Sequence, residues 1–327
     1  MKTPIRTLEA LADSLSERTG TGPKPRLGVV VSGLERDFDA AIAAKKLGWA
    51  ELRLLGEEDR IRGVLEENGI APGECEIIGE TSAEKQLSLI HSWCQGGEVD
   101  TLLMGDFSPK QVHDVISNPF HGVPVEEGVS RAVLLSMPRY PKFLILLSDP
   151  GPGKTGFDSM ILHIKNGVHL ARAVGIDHPK IALLSAMDMV GVDDLHTYNC
   201  RCIASQVSNR QIRDIDLEGP LSFDTAVDEY TVSHLPHAGP VAGNADILVL
   251  DSHHTRSVLA LTLTCFGRAR AARILLGGRV PVAITPARKD DPDKTLAIAL
   301  GLYIAPYLKV ARPLDWLTHP DLFDYAW

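Results

Sequence analysis

The sequence has no apolar run near the roughly 18 residues that a membrane-spanning helix needs. Its first 20 residues also lack the continuous apolar core of a signal peptide. They place Leu8, Leu11, Ala12 and Leu15 at helical spacing instead. These absences predict a soluble, cytoplasmic protein whose chain opens with an amphipathic helix.

Cysteine is scarce and positive charge is not in excess. There are five cysteines, and only Cys200 and Cys202 lie close in sequence, in a CxC pattern that cannot build a zinc site alone. Reduced thiols are therefore expected. The net charge of −9 disfavours nucleic acid as a partner, because the polyanionic backbone selects basic surfaces. A few arginines in one cleft could still hold a small anion.

Repeats and low-complexity tracts are also absent, and short apolar runs alternate with segments of helical periodicity. This alternation is typical of βα units around a mostly parallel sheet. Strands are predicted at 27–32, 51–55, 75–78, 100–104, 143–148, 180–185, 245–250 and 272–276, and helices at 38–47, 58–68, 83–94, 160–174 and 258–269.

Proline and glycine cluster around 141–157, where a domain boundary is predicted. The first α/β domain is expected to span 1–141 and the second 142–295, with residues 296–327, including a closing helix at Leu296–Leu308, returning to the first. The predicted fold is two α/β domains with mostly parallel sheets and a cleft between them.

Two segments have features of functional loops. SDPGPGKTG at 148–156 approaches a phosphate-binding P-loop, but Ser148 replaces a required glycine and two prolines remove backbone donors, which favours a rigid turn. EGPLSFDTAV at 218–227 is predicted to be a turn that feeds a helix, with Ser222 as its N-cap and Asp224 in its first turn.

The second of these segments resembles the DGPLxFDxAV stretch of phosphate butyryltransferases. The likeness continues in IKNGVHLARAVGIDHPKIALLSA (164–186), PVAGNADILVL (240–250) and ARILLGGRVPVAIT (272–285), and earlier in LGVVVS and DTLLMG. Together these segments span about 26–308. The sequence is therefore identified as similar to the phosphate acetyl/butyryltransferase family.

The resemblance implies a homodimer of two-domain subunits that transfers a short-chain acyl group between coenzyme A and inorganic phosphate. In such enzymes the thiolate of coenzyme A attacks an acyl phosphate, with an aspartate base, arginines for phosphate and donors for the oxyanion. Coenzyme A is a substrate, and no metal or tightly bound cofactor is implied.

The resemblance also suggests catalytic residues. Arg288 matches the arginine of the family's Ser-Arg pair, while Ala287 takes the place of the serine. Asp293, among the nearby acidic residues, or Asp224 is expected to serve as the base. The alternative for Arg288 is an ordinary surface ion pair.

Other positions suggest substrate contacts. Ser108 and Lys110 remain in a loop that is rich in hydroxyls in the family, with Asp114 at the place of an arginine. Ser130 and Arg131 match a Ser-His pair, and Arg131 either binds phosphate or pairs with a neighbouring glutamate. The expected substrate-binding set is Ser108, Lys110, Ser130, Arg131, Asn166 and Arg256.

Two other functions stay open at this stage. The chain could bind acyl-coenzyme A or another anionic metabolite without turnover, since several family positions are altered. It could instead be a metal- and nicotinamide-dependent dehydrogenase of similar fold, although His253 and His254, whose side chains are expected to diverge, make a poor metal site.

Overall fold

The computed structural model describes residues 5–31, 35–104, 125–149, 156–209, 212–236, 238–278, 280–286, 291–311 and 314. The helices are α1 (Leu8–Thr21), α2 (Glu35–Lys46), α3 (Glu58–Glu67), α4 (Ala83–Gln95), α5 (Phe157–Ala173), α6 (Leu195–Ser208), α7 (Phe223–Val227), α8 (Glu229–Val232), α9 (His253–Phe266) and α10 (Leu296–Leu308). The strands are β1 (Arg26–Val31), β2 (Glu51–Gly56), β3 (Glu76–Gly79), β4 (Thr101–Leu103), β5 (Val125–Met137), β6 (Tyr140–Ser148), β7 (Lys180–Leu184), β8 (Asp216–Leu221), β9 (Ile247–Val249), β10 (Arg270–Gly278) and β11 (Val282–Ile284).

The strands form one sheet in the order β3-β2-β1-β4-β11-β10-β5-β6-β9-β7-β8. Pairing is parallel on both flanks and antiparallel at the centre, where β10 pairs with β11 and β5, and β5 pairs with β6. The predicted α/β class with a mostly parallel sheet is confirmed. The central antiparallel pairs reverse the strand direction. The strands β6, β7, β8 and β9 therefore have their carboxyl ends on the opposite side of the molecule, along the strand direction, from those of β1 to β4 and β11.

All eight predicted strands and all five predicted helices appear, as do the opening helix and the closing helix at Leu296–Leu308. The turn predicted at the start of 218–227 is wrong in part, because Asp216–Leu221 forms β8. Its Gly219 and Pro220 are poor strand residues, but β8 is the last strand of the sheet, and edge strands tolerate proline.

The sheet is covered on both faces. On one face, α1, α5 and α10 pack against apolar side chains such as Ile145, Leu147 and Ile274. On the other face there are two separate apolar clusters. One lies around α4 and includes Val129 and Leu275, and the other lies against α9 and includes Val133 and Ala271.

Two arginines stand between those clusters. Side chains alternate across a strand, so Arg131 of β5 lies between Val129 and Val133 on the same face. Arg273 of β10 lies in the same way between Ala271 and Leu275. The apolar face of the central strands is therefore interrupted by two cations.

The closing helix α10 contacts α1, α2, α5, β4, β10 and β11. These contacts include first-domain elements, and β10 and β11 join the sheet beside β4. The division at 141 and 295 stays a prediction. No helix in the described part of the chain has the length and apolarity needed to cross a membrane.

Candidate anion-binding site

Neighbouring strands β6 and β9 are followed by helices on opposite faces of the sheet. After β6 the chain continues to α5 on the face of Leu147, and after β9 it continues to α9 on the face of Leu146. In open α/β sheets such a pair of strands leaves a crevice outside their carboxyl ends, where ligands bind. Here that place is marked by Ser148 and Asp149 after β6 and by Asp251 after β9.

Three arginine side chains converge beside this crevice. Arg256, in the first turns of α9, is only 3% exposed, and its Nε donates to Oγ of Ser148 at 2.9 Å. The Nε of Arg131 is buried and has no hydrogen-bond partner among the residues that the structure describes. Among the described residues, no carboxylate lies within ion-pair distance of Arg131, Arg256 or Arg273.

Neighbouring guanidinium groups disfavour the charged forms of Arg131 and Arg256. Burial lowers the pKa of Arg256 to about 9, and the charges of Arg131 and Arg273 add to this effect. The pKa of Arg131 is lowered by burial and then by Arg273. Burial also lowers the pKa of His253, with further contributions from His254, Arg256 and Arg131. Such a cluster is stabilised by an anion.

The amino end of α9 adds to the positive potential. Ser252 is the N-cap, and its Oγ accepts a hydrogen bond from the backbone N–H of Thr255 at 3.2 Å. The other N–H groups of the first turn and the aligned peptide dipoles favour a negative group near the helix start.

A chain of buried polar side chains reaches the same crevice from the other face. Nδ2 of Asn166 donates to Oγ of Ser130 at 2.8 Å, and that hydroxyl lies 2.7 Å from Nδ1 of His163. Nε2 of His163 lies 3.2 Å from Oδ1 of Asp149. This last N–H is not aligned on the oxygen, so the contact is electrostatic and is not a formed hydrogen bond. Ser130 and His163 are fully buried.

Comparison with known proteins finds similarity to one family of acyltransferases. Residues 163–301 match the family model described as phosphate acetyl/butaryl transferase. The phosphate butyryltransferase of Clostridium acetobutylicum is 25% identical over 280 residues, which cover 86% of this chain and 93% of that protein. The phosphate acetyltransferase of Thermotoga maritima is 25% identical over 285 residues, or 87% and 96% of the two chains. Over most of its length the chain is therefore similar to proteins of this family, at about 25% identity.

Solved structures of phosphotransacylases share the fold. A branched-chain phosphotransacylase from Enterococcus faecalis superposes with a TM-score of 0.71 at 21% identity and covers 86% of this chain and 99% of its own. A phosphotransacetylase from Streptococcus pyogenes gives a TM-score of 0.72 at 20% identity, with 92% and 99% covered. At these identities the likeness concerns the fold alone, and it agrees with two α/β domains.

The structure brings together four of the residues that the family resemblance suggested for substrate binding. Arg131 and Arg256 meet in the arginine cluster, and Ser130 and Asn166 meet in the buried polar chain. Arg288, Ser108 and Lys110 lie outside the described residues. Their roles stay predictions.

Asp293, one of the two expected bases, makes structural contacts. Its Oδ1 accepts from Nε of Arg270 at 2.7 Å and its Oδ2 from the backbone N–H of Ala271 at 3.0 Å. These contacts fix the start of β10, opposite Ser136 of β5. Ser136 is five residues from Arg131 along β5, so Asp293 lies about 17 Å from Arg131 in the direction of the strand. A catalytic role for Asp293 stays a prediction without support from this geometry.

Asp224, the other expected base, is exposed at the start of α7, which follows the edge strand β8. Ser222 is the N-cap of α7, as predicted, but its hydroxyl donates to Oδ1 of Asp224 at 2.7 Å instead of capping a backbone group. This hydrogen bond holds the pKa of Asp224 below its usual value. Strand β8 is three strands from β6, or about 14 Å. The geometry therefore does not favour Asp224 as a base near the arginines.

Sequence reasoning missed Arg273, His163 and Asp149. Arg273 could have been noticed as a lone charge inside the apolar run ARILL, as Arg131 is inside SRAVLL. His163 and Asn166 stand three residues apart, which places them on one helix face. Asp149 directly follows a buried strand. None of these signals identifies a site unless the strand order is known.

His253 and His254 do not diverge as expected from their adjacent positions. Their ring centroids lie 3.8 Å apart at the start of α9. Across the described ranges, no group of three or more histidine, cysteine, aspartate or glutamate side chains is arranged to hold a metal ion.

Proposed function

We propose that this protein is a phosphate acyltransferase, which moves a short-chain acyl group between coenzyme A and inorganic phosphate. Similarity to the family supports the reaction class, and relatives named for acetyl and for butyryl transfer leave the acyl chain open. The observation that carries the proposal is the cluster of Arg131, Arg256 and Arg273, which has no carboxylate partner in the described structure.

Arginine suits this task because its planar guanidinium binds phosphate through two parallel hydrogen bonds and stays charged at neutral pH. In the proposed complex the phosphate group of the acyl phosphate is held by Arg131, Arg256 and Arg273 near the positive end of α9. Ser108, Lys110 and Arg288 are proposed to contribute further contacts to the substrates, and Ser130 and Asn166 to orient the backbone beside the crevice.

The proposed reaction is direct. The thiolate of coenzyme A attacks the carbonyl carbon of the acyl phosphate, and phosphate leaves with the electron pair of the broken C–O bond. Cationic groups near the departing oxygen stabilise the charge that develops there. Coenzyme A takes part as a substrate, and the scheme uses no tightly bound cofactor.

We also propose that the protein is a cytoplasmic homodimer. Apolar side chains that are largely exposed in the single chain, including Met189, Val192 and Leu195, would suit a surface shared between subunits. Sedimentation velocity tests the assembly, and a monomer at micromolar concentration would refute it.

The test of the activity is the release of coenzyme A from acetyl-, propionyl- and butyryl-coenzyme A, measured with and without phosphate. The proposal predicts release that depends on phosphate with at least one of these substrates. Tight binding of an acyl-coenzyme A without release would instead support the binding-subunit interpretation. Reduction of nicotinamide cofactor on addition of a divalent metal and a hydroxy-acid phosphate would support a dehydrogenase.

A further inference from the structure

We propose that Asp149 is the base that removes the thiol proton of coenzyme A, and that His163 is the residue that positions it. The inference rests on the acyltransferase function proposed above and concerns the same crevice. It assigns the base to the carboxyl end of β6, beside the arginine cluster.

A donor and an acceptor can be assigned at each step of the buried polar chain that leads from Asn166 to Asp149. An amide nitrogen only donates, so Nδ2 of Asn166 gives its proton to Oγ of Ser130. A hydroxyl that accepts this bond can still donate its own proton, and we assign that proton to a hydrogen bond with Nδ1 of His163, 2.7 Å away. With this assignment Nε2 of His163, which faces Asp149, is the N–H donor.

The far end of the chain is anchored in the backbone. Nδ2 of Asn166 lies 3.4 Å from the carbonyl oxygen of Gly128. Gly277 packs so closely against this point that a Cβ atom there would lie 1.9 Å from the same oxygen and 3.2 Å from Nδ2 of Asn166. Of the two ends of the polar chain, the one that can change its side-chain position is therefore Asp149, whose side chain is 23% exposed.

Nε2 of His163 and Oδ1 of Asp149 lie close together in this structure but do not form a hydrogen bond. Nε2 of His163 is fully buried and lacks an aligned acceptor, which is costly for a polar group. Oδ1 of Asp149 lies only 3.2 Å away, so a small rotation completes the bond. Hydrogen bonds of catalytic groups often tighten in this way once substrate is bound.

Asp149 directly follows in sequence the residue that binds Arg256 of the arginine cluster. The adjacent Ser148 accepts a hydrogen bond from Arg256, and the charge of Asp149 acts on His253 together with those of Arg131 and Arg256. When the arginines are empty, their positive charge makes the carboxylate a weaker base. A bound phosphate dianion offsets that charge, so occupation of the site strengthens the base.

The step balances without another reactant. The S–H bond of coenzyme A breaks, its proton forms an O–H bond on Asp149, and the thiolate forms the new C–S bond. The C–O bond to phosphate breaks with its electron pair on the phosphate oxygen. The proton then passes from Asp149 to the departing phosphate, which restores the carboxylate.

The first test removes the base. Asp149→Asn is expected to lower kcat for acyl-coenzyme A formation from acyl phosphate at least 100-fold, with KM for acyl phosphate changed less than threefold. Asp13→Asn, which removes an exposed carboxylate on α1, is the matched control and should keep the wild-type rate. Circular dichroism and a melting curve establish that Asp149→Asn is folded.

The second test separates positioning from simple packing. His163→Gln keeps an N–H donor near the position of Nε2, whereas His163→Asn places its amide near Nδ1 and leaves Asp149 without a donor. We expect the pH at which kcat is half-maximal to rise in His163→Asn and to stay near the wild-type value in His163→Gln. The charged or titratable groups that the described structure places at this crevice include Asp251, His253, His254, Arg131, Arg273 and Arg256, and all are unchanged in both variants.

The two proposals fail in different ways. An inactive wild-type protein would overturn the acyltransferase function and the role of Asp149 with it. An active wild type together with a folded Asp149→Asn that retains more than a tenth of its kcat would overturn the role of Asp149 alone. Equal pH profiles for His163→Asn and His163→Gln would overturn the positioning role of His163.

Discussion

Arg256 is a charged side chain that folding transfers from water to a buried place with hydroxyl partners. Its Nε bonds to Ser148, and Nη2 lies 3.4 Å from Oγ of Ser257, but the described residues offer it no carboxylate. Burying a charge without an opposite charge is unfavourable, so a position of this kind costs stability in the empty protein. An anionic ligand removes the cost.

The buried charge of Arg256 predicts how Arg256→Met changes the melting temperature with and without phosphate. In the absence of phosphate the variant should melt at the same temperature as the wild type or higher, because one of three repelling cations is gone. In saturating phosphate the wild type should gain several degrees and the variant should gain much less. The free-energy gain is about 2.7 kcal/mol when phosphate is at 100 times its Kd.

The stability difference between Arg256→Met and the wild type should depend on pH in a definite direction. The folded state holds the pKa of Arg256 at about 9, below the value of the unfolded chain, so the unfolded chain binds more protons above about pH 9. The free-energy cost of burying the charged side chain of Arg256 is therefore complete below pH 9 and decreases as the pH rises further. The advantage of Arg256→Met should shrink over that window. Arg139→Met, in the exposed turn between β5 and β6, is the control and should match the wild type throughout.

Asp293 gives a second prediction for a single residue. Asp293→Asn removes the charge that binds Arg270 and replaces one acceptor with a donor facing the N–H of Ala271. The free energy of unfolding in urea should fall by about 1–3 kcal/mol. If the contacts are purely structural, kcat of the folded variant stays at the wild-type value. A 100-fold loss of kcat would instead support Asp293 as the base.

Among the elements, β10 carries an irregularity that shapes the site. The register between β10 and β5 shifts between Leu276 and Gly278, and Gly277 adopts a φ of 107° there. The close approach of Gly277 to the carbonyl of Gly128 brings that backbone under Asn166. Only glycine fits both the dihedral angle and the space.

Gly277→Ala should therefore destabilise the protein by more than 2 kcal/mol and disturb the polar chain that ends at Asp149. Gly63→Ala is the matched control, since Gly63 lies in α3 and no atom stands within 4 Å of its added Cβ. That change should stabilise the protein by about 0.5–1 kcal/mol through helix propensity. Urea unfolding measures both, and equal effects would contradict the packing argument.

The sequence was sufficient to predict most elements but not the site. Runs such as FLILLS and KIALLS identify buried strands because both faces are apolar, and the helical periodicity of 296–308 locates α10. β11 was missed because Pro281, a residue disfavoured in strands, directly precedes its three residues. The arginine cluster combines a strand at 125–137 with another at 270–278 and a helix at 253–266, and their proximity depends on the antiparallel centre of the sheet, which no local pattern encodes.

At the scale of the whole molecule, α1 links distant parts of the sheet. Trp49, next to β2, donates to Oγ of Ser16 at 2.7 Å, and Arg270 at the start of β10 donates to Glu9 at 2.5 Å. The apolar side of α1 packs against α10, with Leu11 and its neighbours Leu8 and Leu15 fully buried. The first helix is thus part of the core.

Leu11→Ala should lower the free energy of unfolding by about 2–5 kcal/mol, through lost burial and the cavity left behind. Leu47→Ala is the control, because Leu47 is 53% exposed, and it should change the free energy by less than 1 kcal/mol. Denaturant unfolding distinguishes them. Comparable losses in the two variants would show that α1 is not packed as described.

The most direct test of the whole account is the phosphate dependence of acyl-coenzyme A cleavage in wild type, Arg131→Met, Arg256→Met and the control Arg139→Met. The account predicts that KM for phosphate rises at least tenfold, or about 1.4 kcal/mol, in the first two variants. KM for acyl-coenzyme A should change less than threefold, and Arg139→Met should behave as the wild type. An unchanged KM for phosphate in both cluster variants would contradict the assignment of this site to phosphate.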